Sequence, residues 1–503
     1  MGNNKVAVLS VSAIVLVAVV ATVAVTVSNR YSQPEKTEFS TSNKNIKDFC
    51  RPTDYQATCE SSLSEVADNT TDPKELVNLA FQVTIDHIKK AFDHSTVLSE
   101  AAKDSRTSDA LENCRELLDY AIDDLKSSID RLDGFSLTKL DKFLDDLKVW
   151  ISATITYQET CLDGFENTTT DAAESMRKAL NSSAELTSNI LAIVINFDSA
   201  LDSLNLGFNR KLLSEEYPSW ISPGKRRLLQ QSPAELKPNV TVAKDGSGDV
   251  KTIGEAVNRS LANVMMIGDG TSKTKITGKL NYIDGTATFK TATVAIVGDG
   301  FIGKDLWIEN SAGAAKHQAV ALRVQSDKSV FYNVRMDGYQ DTLYVHTKRQ
   351  FYRECTISGT IDFMDARTGA RPAPSSSTTA PSAPTPPTSA RKKLPTFLGR
   401  PWKEFSRTFV LQSQLDDLID PKGWLPWSGD FGLNSCFYTE LDNRGPGADM
   451  SQRVKWKGVK AIDYAHAQKF TVEHFIQGNA WLPKTGVPFI PGLLPMTESG
   501  RIH

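Results

Sequence analysis

The amino-acid sequence predicts two unlike domains, an all-α four-helix bundle followed by an all-β right-handed parallel β-helix. The 503 residues carry opposite net charge in their two parts: residues 41–200 have 16 Lys and Arg against 29 Asp and Glu, whereas residues 201–503 have 38 against 29. Helical periodicity marks the acidic part, and a repeat of about 21 residues marks the basic part. At 40% hydrophobic and 23% charged residues, the chain is too apolar for a disordered protein.

The first element is a predicted secretory segment. The run from Val6 to Val27 is uncharged and mostly Val, Ala and Leu, and at about 1.5 Å per residue it is long enough to cross a bilayer of about 30 Å. We interpret residues 1–30 as a signal peptide or a signal anchor, and the sequence leaves open which of the two it is. Secretion also fits the sequons at Asn69, Asn167, Asn181, Asn239 and Asn258.

The acidic part contains four segments with apolar residues at helical spacing. Asp72 and Pro73 suit the N-cap and first position of the first helix. The four stripes consist of Val77, Phe81, Ile85, Ile88 and Phe92; Leu118, Ile122, Leu125, Ile129 and Leu132; Leu137, Leu140, Leu144, Leu147 and Ile151; and Leu186, Ile190, Ile193, Phe197, Leu201 and Leu204. Amphipathic helices joined by short links predict a bundle over residues 40–205.

Four cysteines of the acidic part predict two disulfides. Cys114 precedes the second stripe and Cys161 follows the third, so an antiparallel helical hairpin would bring them together. Cys50 and Cys59 are close enough in sequence to close a short N-terminal turn. We therefore predict the pairs Cys50–Cys59 and Cys114–Cys161, the second of which would contribute about 4 kcal/mol in the chain-entropy model.

Three motifs in the acidic part carry a family resemblance. The stretches DFCRPTDYQATCESSL, ENCRELLDYAIDDLKSS and TYQETCLDGF resemble the plant invertase/pectin methylesterase inhibitor domain, with all four cysteines in place. The resemblance implies a binding module. No nucleophile and base are found together here, and we interpret His87 and His94 as ordinary helix-surface residues.

A linker over residues 206–235 contains two dibasic pairs in a stretch rich in turn formers. Arg210 and Lys211 form the first pair and Arg226 and Arg227 the second, each followed by two leucines. An exposed boundary between domains is accessible to proteases. Because the pairs also resemble the processing sites of pectin methylesterases that carry a pro-region, we predict that a processing protease cuts here.

The basic part repeats at the spacing of β-helix coils. Aligning NVRMDGYQDTLYV with ECTISGTIDFMDA at an offset of 21 pairs Met336 with Ile357 and Asp341 with Asp362, and Gln318 lies 23 residues before Asp341. Neighbouring strands of a sheet are about 4.8 Å apart, so we predict that Gln318, Asp341 and Asp362 form a column on one outer face.

Such a column has a chemical use. Two carboxylates this close cannot both ionise freely, so their pKa values should be driven apart, which suits an acid and a nucleophile. Gln318, together with Gln340 beside Asp341, could donate N–H groups to a developing oxyanion.

Several longer motifs then resemble the catalytic domain of plant pectin methylesterases, over about residues 236–498. They are TATFKTATVAIVGDGFIGKDLWIENSAG, KHQAVALRV, GYQDTLYVHTKRQFYRECTISGTIDF, FLGRPWKEFSRT, GWLPWSGDF and NRGPGA. The resemblance implies that Asp362 is the nucleophile, that Asp341 is the general acid and then base, and that Gln318 and Gln340 stabilise the oxyanion. It also implies that Arg400 orients Asp362, and that no metal or organic cofactor takes part. The implied sugar contacts are Thr288, Gln318, Arg400, Trp402 and Trp424.

Two stretches depart from that resemblance and predict an incomplete β-helix. About thirty residues of the family pattern are missing after TIGEAVN, and a Pro/Ser/Thr-rich insert over residues 371–390 stands where a further coil is expected. Prolines in the insert cannot donate ladder hydrogen bonds. Cys355 is thereby left as a free thiol or with only the distant Cys436 as a partner.

The leading functional hypothesis is hydrolysis of methyl esters of cell-wall pectin to pectate and methanol, by a protein secreted to the cell wall with an inhibitor-like pro-region. The net positive charge of residues 201–503 suits an anionic polymer, and no feature indicates a nucleic-acid partner. A second hypothesis is a catalytically impaired pectin-binding or pectinesterase-inhibitor protein. A third is that the two departures come from an incorrectly assembled coding sequence. A Ser-His-Asp site with His317 or His346 is disfavoured because the sequence has no GxSxG elbow.

Overall fold

The computed structural model describes residues 41–67, 70, 73–92, 104–134, 140–166, 168, 170–203, 239–253, 263–362, 364–366 and 396–494. The chain divides into two compact units, residues 1–214 and residues 215–503. The N-terminal segment 1–30, both dibasic pairs and the insert 371–390 lie outside the described residues. Among the residues described, no helix has the length and apolar character that a membrane span requires.

The first unit is helical, as predicted. Its helices are α1 (Thr41–Cys50), α2 (Gln56–Ser64), α3 (Pro73–Phe92), α4 (Ser105–Gly134), α5 (Leu140–Asp163) and α6 (Ala172–Ser203). The four long helices α3 to α6 are the predicted four, and the apolar stripes supply their buried faces, with Phe81, Leu125 and Ile151 fully buried. The two short helices α1 and α2 precede them and were not predicted.

Both predicted cysteine pairs are disulfides in the structure. Cys114 on α4 is bonded to Cys161 on α5 with the Cα atoms 4.3 Å apart, and Cys50 is bonded to Cys59 with the Cα atoms 5.8 Å apart. The Cys50–Cys59 bridge joins the end of α1 to the middle of α2, so it links two short helices and does not close a simple turn.

The second unit contains three parallel sheets that the chain visits in turn. Sheet A consists of β1 (Met265–Ile267), β4 (Ile302–Lys304), β7 (Ser329–Tyr332) and β10 (Gln350–Arg353). Sheet B consists of β2 (Lys275–Gly278), β5 (Trp307–Asn310), β8 (Arg335–Asp337) and β11 (Thr356–Ser358). Sheet C consists of β3 (Val294–Ile296), β6 (Leu322–Val324), β9 (Leu343–Val345) and β12 (Met364–Ala366). This order makes four successive coils of a parallel β-helix, so the predicted architecture is confirmed.

The coil length changes along the β-helix. Met336 pairs with Ile357 and Leu343 pairs with Met364, which gives the predicted step of 21 residues between the third and fourth coils. Ile308 pairs with Met336, which is a step of 28. The second coil is longer mainly because residues 311–321 connect its strands in sheets B and C, whereas residues 338–342 make that connection in the third.

The interior of the β-helix is filled by apolar side chains from neighbouring coils. Leu322, Phe331, Met336 and Leu343 are fully buried in one cluster. Cys355 belongs to this cluster and is a free thiol, and burial raises its pKa to about 12. Of the two alternatives for Cys355, the structure therefore has the free thiol, which stays protonated and unreactive at neutral pH.

Residues 396–494 continue the unit outside the three sheets. They contain β13 (Arg407–Leu411) paired in parallel with β14 (Phe437–Leu441), and two short helices, α7 (Tyr464–Gln468) and α8 (Val472–Phe475). The segment from Val472 to Val487 packs on sheet A against Ile302, Val330 and Phe351. The fully buried Arg349 anchors it, because its Nη1 donates to Gln477 at 3.0 Å while its Nε donates to Asp327 at 2.8 Å.

We predict unequal contributions of the two disulfides to the stability of the helical unit. Replacing Cys114 and Cys161 by Ser opens a loop of 47 residues and should lower the free energy of unfolding by about 4 kcal/mol, against about 2.7 kcal/mol for Cys50 and Cys59. Urea unfolding followed by circular dichroism measures both changes. Equal losses would contradict the loop-length explanation.

Candidate active site

The candidate site is built from the turns that lead from sheet B to sheet C, which we call the B–C turns. One such turn occurs in each coil, at residues 279–293, 311–321, 338–342 and 359–363. Each contains a predicted site residue, namely Thr288, Gln318, Asp341 with Gln340, and Asp362 in that order. The β-helix thus brings residues from four distant stretches of sequence to one edge.

Backbone hydrogen bonds stack these turns directly on one another. Tyr282 N donates to Gln318 O at 2.9 Å, and Ala319 N donates to Gln340 O at 3.2 Å. Asp341 N donates to Ile361 O at 3.2 Å. The turns are therefore neighbours in the ladder, and not merely on the same side of the molecule.

Asp341 and Asp362 occupy equivalent positions in the third and fourth coils. The pairing of Leu343 with Met364 gives the two aspartates the same 21-residue register. Both have left-handed backbone conformations, with φ of 61° and 46°. Such conformations are uncommon for residues other than glycine, and aspartate adopts them more readily than most.

Gln318 is one position away from its predicted place. It forms a parallel bridge with Gln340, at a step of 22, and not with Asp341 at a step of 23. The reason is a local irregularity in the ladder, in which Ala321 N and Leu322 N both donate to Thr342 O, at 2.9 and 3.2 Å. The predicted column is thus corrected to two stacked glutamines beside two stacked aspartates. The Oε1 atom of Gln318 is buried and has no hydrogen-bond partner among the described residues.

Arg400 joins Asp362 to the chain beyond the β-helix coils. Its Nε donates to Asp362 Oδ1 at 2.8 Å, and its Nη2 pairs with Asp362 Oδ2. The two side chains are 24% and 25% exposed, so the pair lies at the surface edge of the site. A bidentate guanidinium contact fixes the plane of a carboxylate.

Aromatic rings surround Arg400. The guanidinium carbon lies 4.1 Å from the ring centre of Trp427, and the rings of Trp402 and Trp427 meet edge to face with centres 5.5 Å apart. Trp402 is partly exposed and Trp427 is 38% exposed. These rings can offer apolar surface to a ligand bound next to Asp362.

Trp424 does not belong to this surface, which corrects the prediction that it contacts the sugar. It is 0% exposed and packs in the core beside Tyr438, with ring centres 4.6 Å apart. Its backbone forms a parallel bridge with Gly399. Trp427 is the exposed tryptophan of the same GWLPW motif. The two tryptophans are three residues apart, and nothing in the sequence indicates which of them is buried.

Thr288 lies on the first B–C turn. Hydrogen bonds of buried polar groups connect this turn to the second B–C turn. The Nδ2 atom of the buried Asn310 donates to Leu280 O at 2.9 Å and to Val320 O at 3.0 Å. The hydroxyl of Thr291 donates to Thr288 O and accepts from Val320 N. These contacts hold the turn with Thr288 against the strand that follows Gln318.

The chemistry of this edge is that of carboxylates, amides and a guanidinium. Within the described residues, no group of three or more His, Cys, Asp or Glu side chains is arranged to hold a metal ion. Two carboxylates in adjacent coils, two amide side chains and a fixed arginine can support nucleophilic attack with proton transfer.

Comparisons with known proteins identify the family. The chain is 43% identical to a protein described as "Probable pectinesterase/pectinesterase inhibitor 21" of Arabidopsis thaliana, and the match covers 97% of this chain and 82% of that protein. The chain belongs to the pectinesterase family. The family model "Pectinesterase" matches residues 257–370 and 377–479 of this pectinesterase, and the model "Plant invertase/pectin methylesterase inhibitor" matches residues 44–193.

The chain is also similar to further proteins. The chain is 38% identical to pectinesterase 1 of Citrus sinensis, over 89% of this chain and 88% of that protein. Among solved structures, the pectin methylesterase from carrot is 40% identical over 51% of this chain and 99% of that chain, with a TM-score of 0.44.

We predict that replacing Trp427 weakens substrate binding, whereas replacing Trp424 lowers stability. Trp427→Ala removes exposed ring surface beside Arg400 and should raise the KM for pectin by about fivefold, which corresponds to about 1 kcal/mol, with an unchanged melting temperature. Trp424→Ala opens a core cavity and should cost about 3–5 kcal/mol of stability. Kinetics and thermal unfolding of both variants check this, and a Trp427→Ala protein with wild-type KM would contradict the surface role.

Proposed function

We propose that this pectinesterase hydrolyses the methyl esters of pectin through a two-carboxylate mechanism. An oxygen of the Asp362 carboxylate attacks the ester carbonyl carbon, and Asp341 donates a proton to the departing methoxy group to release methanol. The acyl group is then held on Asp362 as an anhydride. Asp341, now a carboxylate, removes a proton from water, and the resulting hydroxide releases the pectin carboxylate and restores Asp362.

The observation that carries this proposal is the equivalent position of Asp341 and Asp362 in adjacent coils. Side chains at such positions are about 4.8 Å apart, which lets one ester group contact both. Asp341 is buried, whereas Asp362 is partly exposed. Their different surroundings support different roles for the two aspartates.

The oxyanion role is assigned to the two glutamines. Gln318 and Gln340 are paired across adjacent coils, directly before the Asp341 position. Two amide N–H groups aimed at a carbonyl oxygen stabilise the negative charge that develops there, and each is commonly worth about a hundredfold or more in rate. Arg400 holds the Asp362 carboxylate in one orientation for attack.

The substrate is proposed to lie across the four B–C turns. The proposed contacts are Thr288 on the first turn and, beside Arg400, the partly exposed Trp402 and Trp427. A methyl ester presents an apolar group, and the surrounding galacturonate units present carboxylates. The excess of Lys and Arg in residues 201–503 favours binding of such a polyanion.

The helical unit is proposed to act as an intramolecular inhibitor until a protease separates it. The match of residues 44–193 to the inhibitor model supports this role, as do the dibasic pairs at Arg210 and Lys211 and at Arg226 and Arg227. We further propose that residues 1–30 direct the chain into the secretory pathway and that it acts in the cell wall. The extensive matches to pectinesterases favour hydrolysis over a purely inhibitory protein.

Replacement of either aspartate should strongly reduce methanol release from methyl-esterified pectin. Asp362→Ala removes the nucleophile and should lower kcat by at least about 10⁴-fold, and Asp341→Ala removes the proton donor and should lower it by about 10²–10⁴-fold. Asp305→Asn is the matched control, because Asp305 also has a left-handed backbone, φ 56°, but lies on a turn between sheets A and B. Its kcat should stay within about twofold of wild type.

The outcome is read from methanol released by protein that a plant secretory host has processed. Equal release by wild type and Asp362→Ala would remove the proposed mechanism. A large loss in Asp305→Asn would show that any change in the β-helix turns impairs activity, and would remove the specific role of the pair.

Processing should depend on the dibasic pairs. A chain with Arg210, Lys211, Arg226 and Arg227 replaced by Ala should be recovered at full length and should release less methanol per mole, because the helical unit stays attached. Lys237→Ala, a single basic residue just beyond the linker, serves as the control and should be processed normally. Mass spectrometry of the secreted protein checks the cut, and normal processing of the fourfold variant would contradict this assignment.

A further inference from the structure

Thr342 follows Asp341 directly and is bonded to the coils on both sides of its own. Its side chain is 0% exposed, and its Oγ1 donates to Ser358 O in the fourth coil at 3.0 Å. Its carbonyl oxygen accepts from Ala321 N and Leu322 N in the second coil. One residue therefore connects the coils that carry Gln318, Asp341 and Asp362.

A glycine makes room for this hydroxyl. A Cβ atom on Gly338 would lie 2.7 Å from Thr342 Oγ1, so a larger residue here would displace the threonine hydroxyl. Gly338 N also donates to Ser358 O, at 3.1 Å. The carbonyl of Ser358 thus accepts two hydrogen bonds from the third coil, four residues before Asp362.

We propose, on the basis of the two-carboxylate function above, that the Thr342 hydroxyl is a positioning group that sets the spacing between Asp341 and Asp362. Asp341 is adjacent to Thr342 in the chain, and Asp362 follows the carbonyl that Thr342 holds. A backbone shift of the fourth coil would move the nucleophile away from the acid. Misplacement by about 1 Å can cost about a hundredfold in rate.

Among the described residues, the same small motif is also found at a place that lacks a carboxylate pair. Thr293 Oγ1 donates to Glu309 O at 2.9 Å, and a Cβ atom on Gly278 would lie 2.7 Å from Thr293 Oγ1. This pair connects the first coil to the second. It supplies a control with the same chemistry outside the coils of Asp341 and Asp362. Because Thr293 lies on the turn that carries the proposed sugar contact Thr288, its replacement is expected to affect KM and not kcat.

The test compares Thr342→Val with Thr293→Val, since valine keeps the branched shape and removes the hydroxyl. We expect both to lose a similar, small amount of thermal stability. Only Thr342→Val should lose kcat, by about tenfold or more, with its KM for pectin within about twofold of wild type. Thr342→Ser restores the donor and should recover most of the kcat.

Gly338→Ala and Gly278→Ala form a second matched pair in case Thr342→Val does not fold. The added methyl group pushes on the threonine hydroxyl at both positions, and only Gly338→Ala should lower kcat. Wild-type kcat in Thr342→Val, an equal kcat loss in Thr293→Val, or failure of Thr342→Ser to recover activity would each overturn the positioning role. Asp362→Ala is assayed alongside: if wild type releases no more methanol than this variant, the proposed function itself has failed and the positioning role fails with it.

Discussion

The in-register stacking of the B–C turns is the constraint on which the site depends. Each strand of the β-helix has only three or four residues, so no single coil could hold its turn in place alone. The turns are held by hydrogen bonds to the coil before and the coil after. A shift of one coil by one residue would put a different side chain at the position of its site residue and would turn its strand residues to the opposite face, so the chemistry depends on the register.

An ion pair connects this edge to residues 396–494 of the same unit. The contact between Arg400 and Asp362 joins the fourth coil to the segment that begins at residue 396, although the intervening chain includes the Pro/Ser/Thr-rich insert. Trp402 follows Arg400 by two residues, and the ring of Trp427 lies against the Arg400 guanidinium. In the proposed mechanism, the same contact orients the nucleophile beside this aromatic surface.

Much of the arrangement could be predicted from the sequence because it follows from spacing. The four apolar stripes predict α3 to α6, and the step of 21 residues predicts that Asp341 and Asp362 are neighbours. Spacing fails where the ladder is irregular, as at Gln318, where the double hydrogen bond to Thr342 O shifts the register by one.

In a segment without periodic spacing, the sequence also does not show which side chains face the core and which face the surface. Trp424 and Trp427 share one motif, yet one lies in the core and the other lies beside Arg400. Thr342 lies inside the motif GYQDTLYV, but the motif does not show what the threonine hydroxyl contacts. Its proposed role follows only from the structure, which shows the hydrogen bond to Ser358 O and the close approach to Gly338.

The central claim is that the two aspartates on adjacent coils act as one unit, and a double-mutant cycle tests this most directly. The kcat for methanol release is measured for wild type, Asp341→Ala, Asp362→Ala and the double variant. Groups that act together in one reaction are strongly non-additive, so the double variant should be no slower than Asp362→Ala. If the two losses multiply instead, the aspartates contribute independently and the account is contradicted.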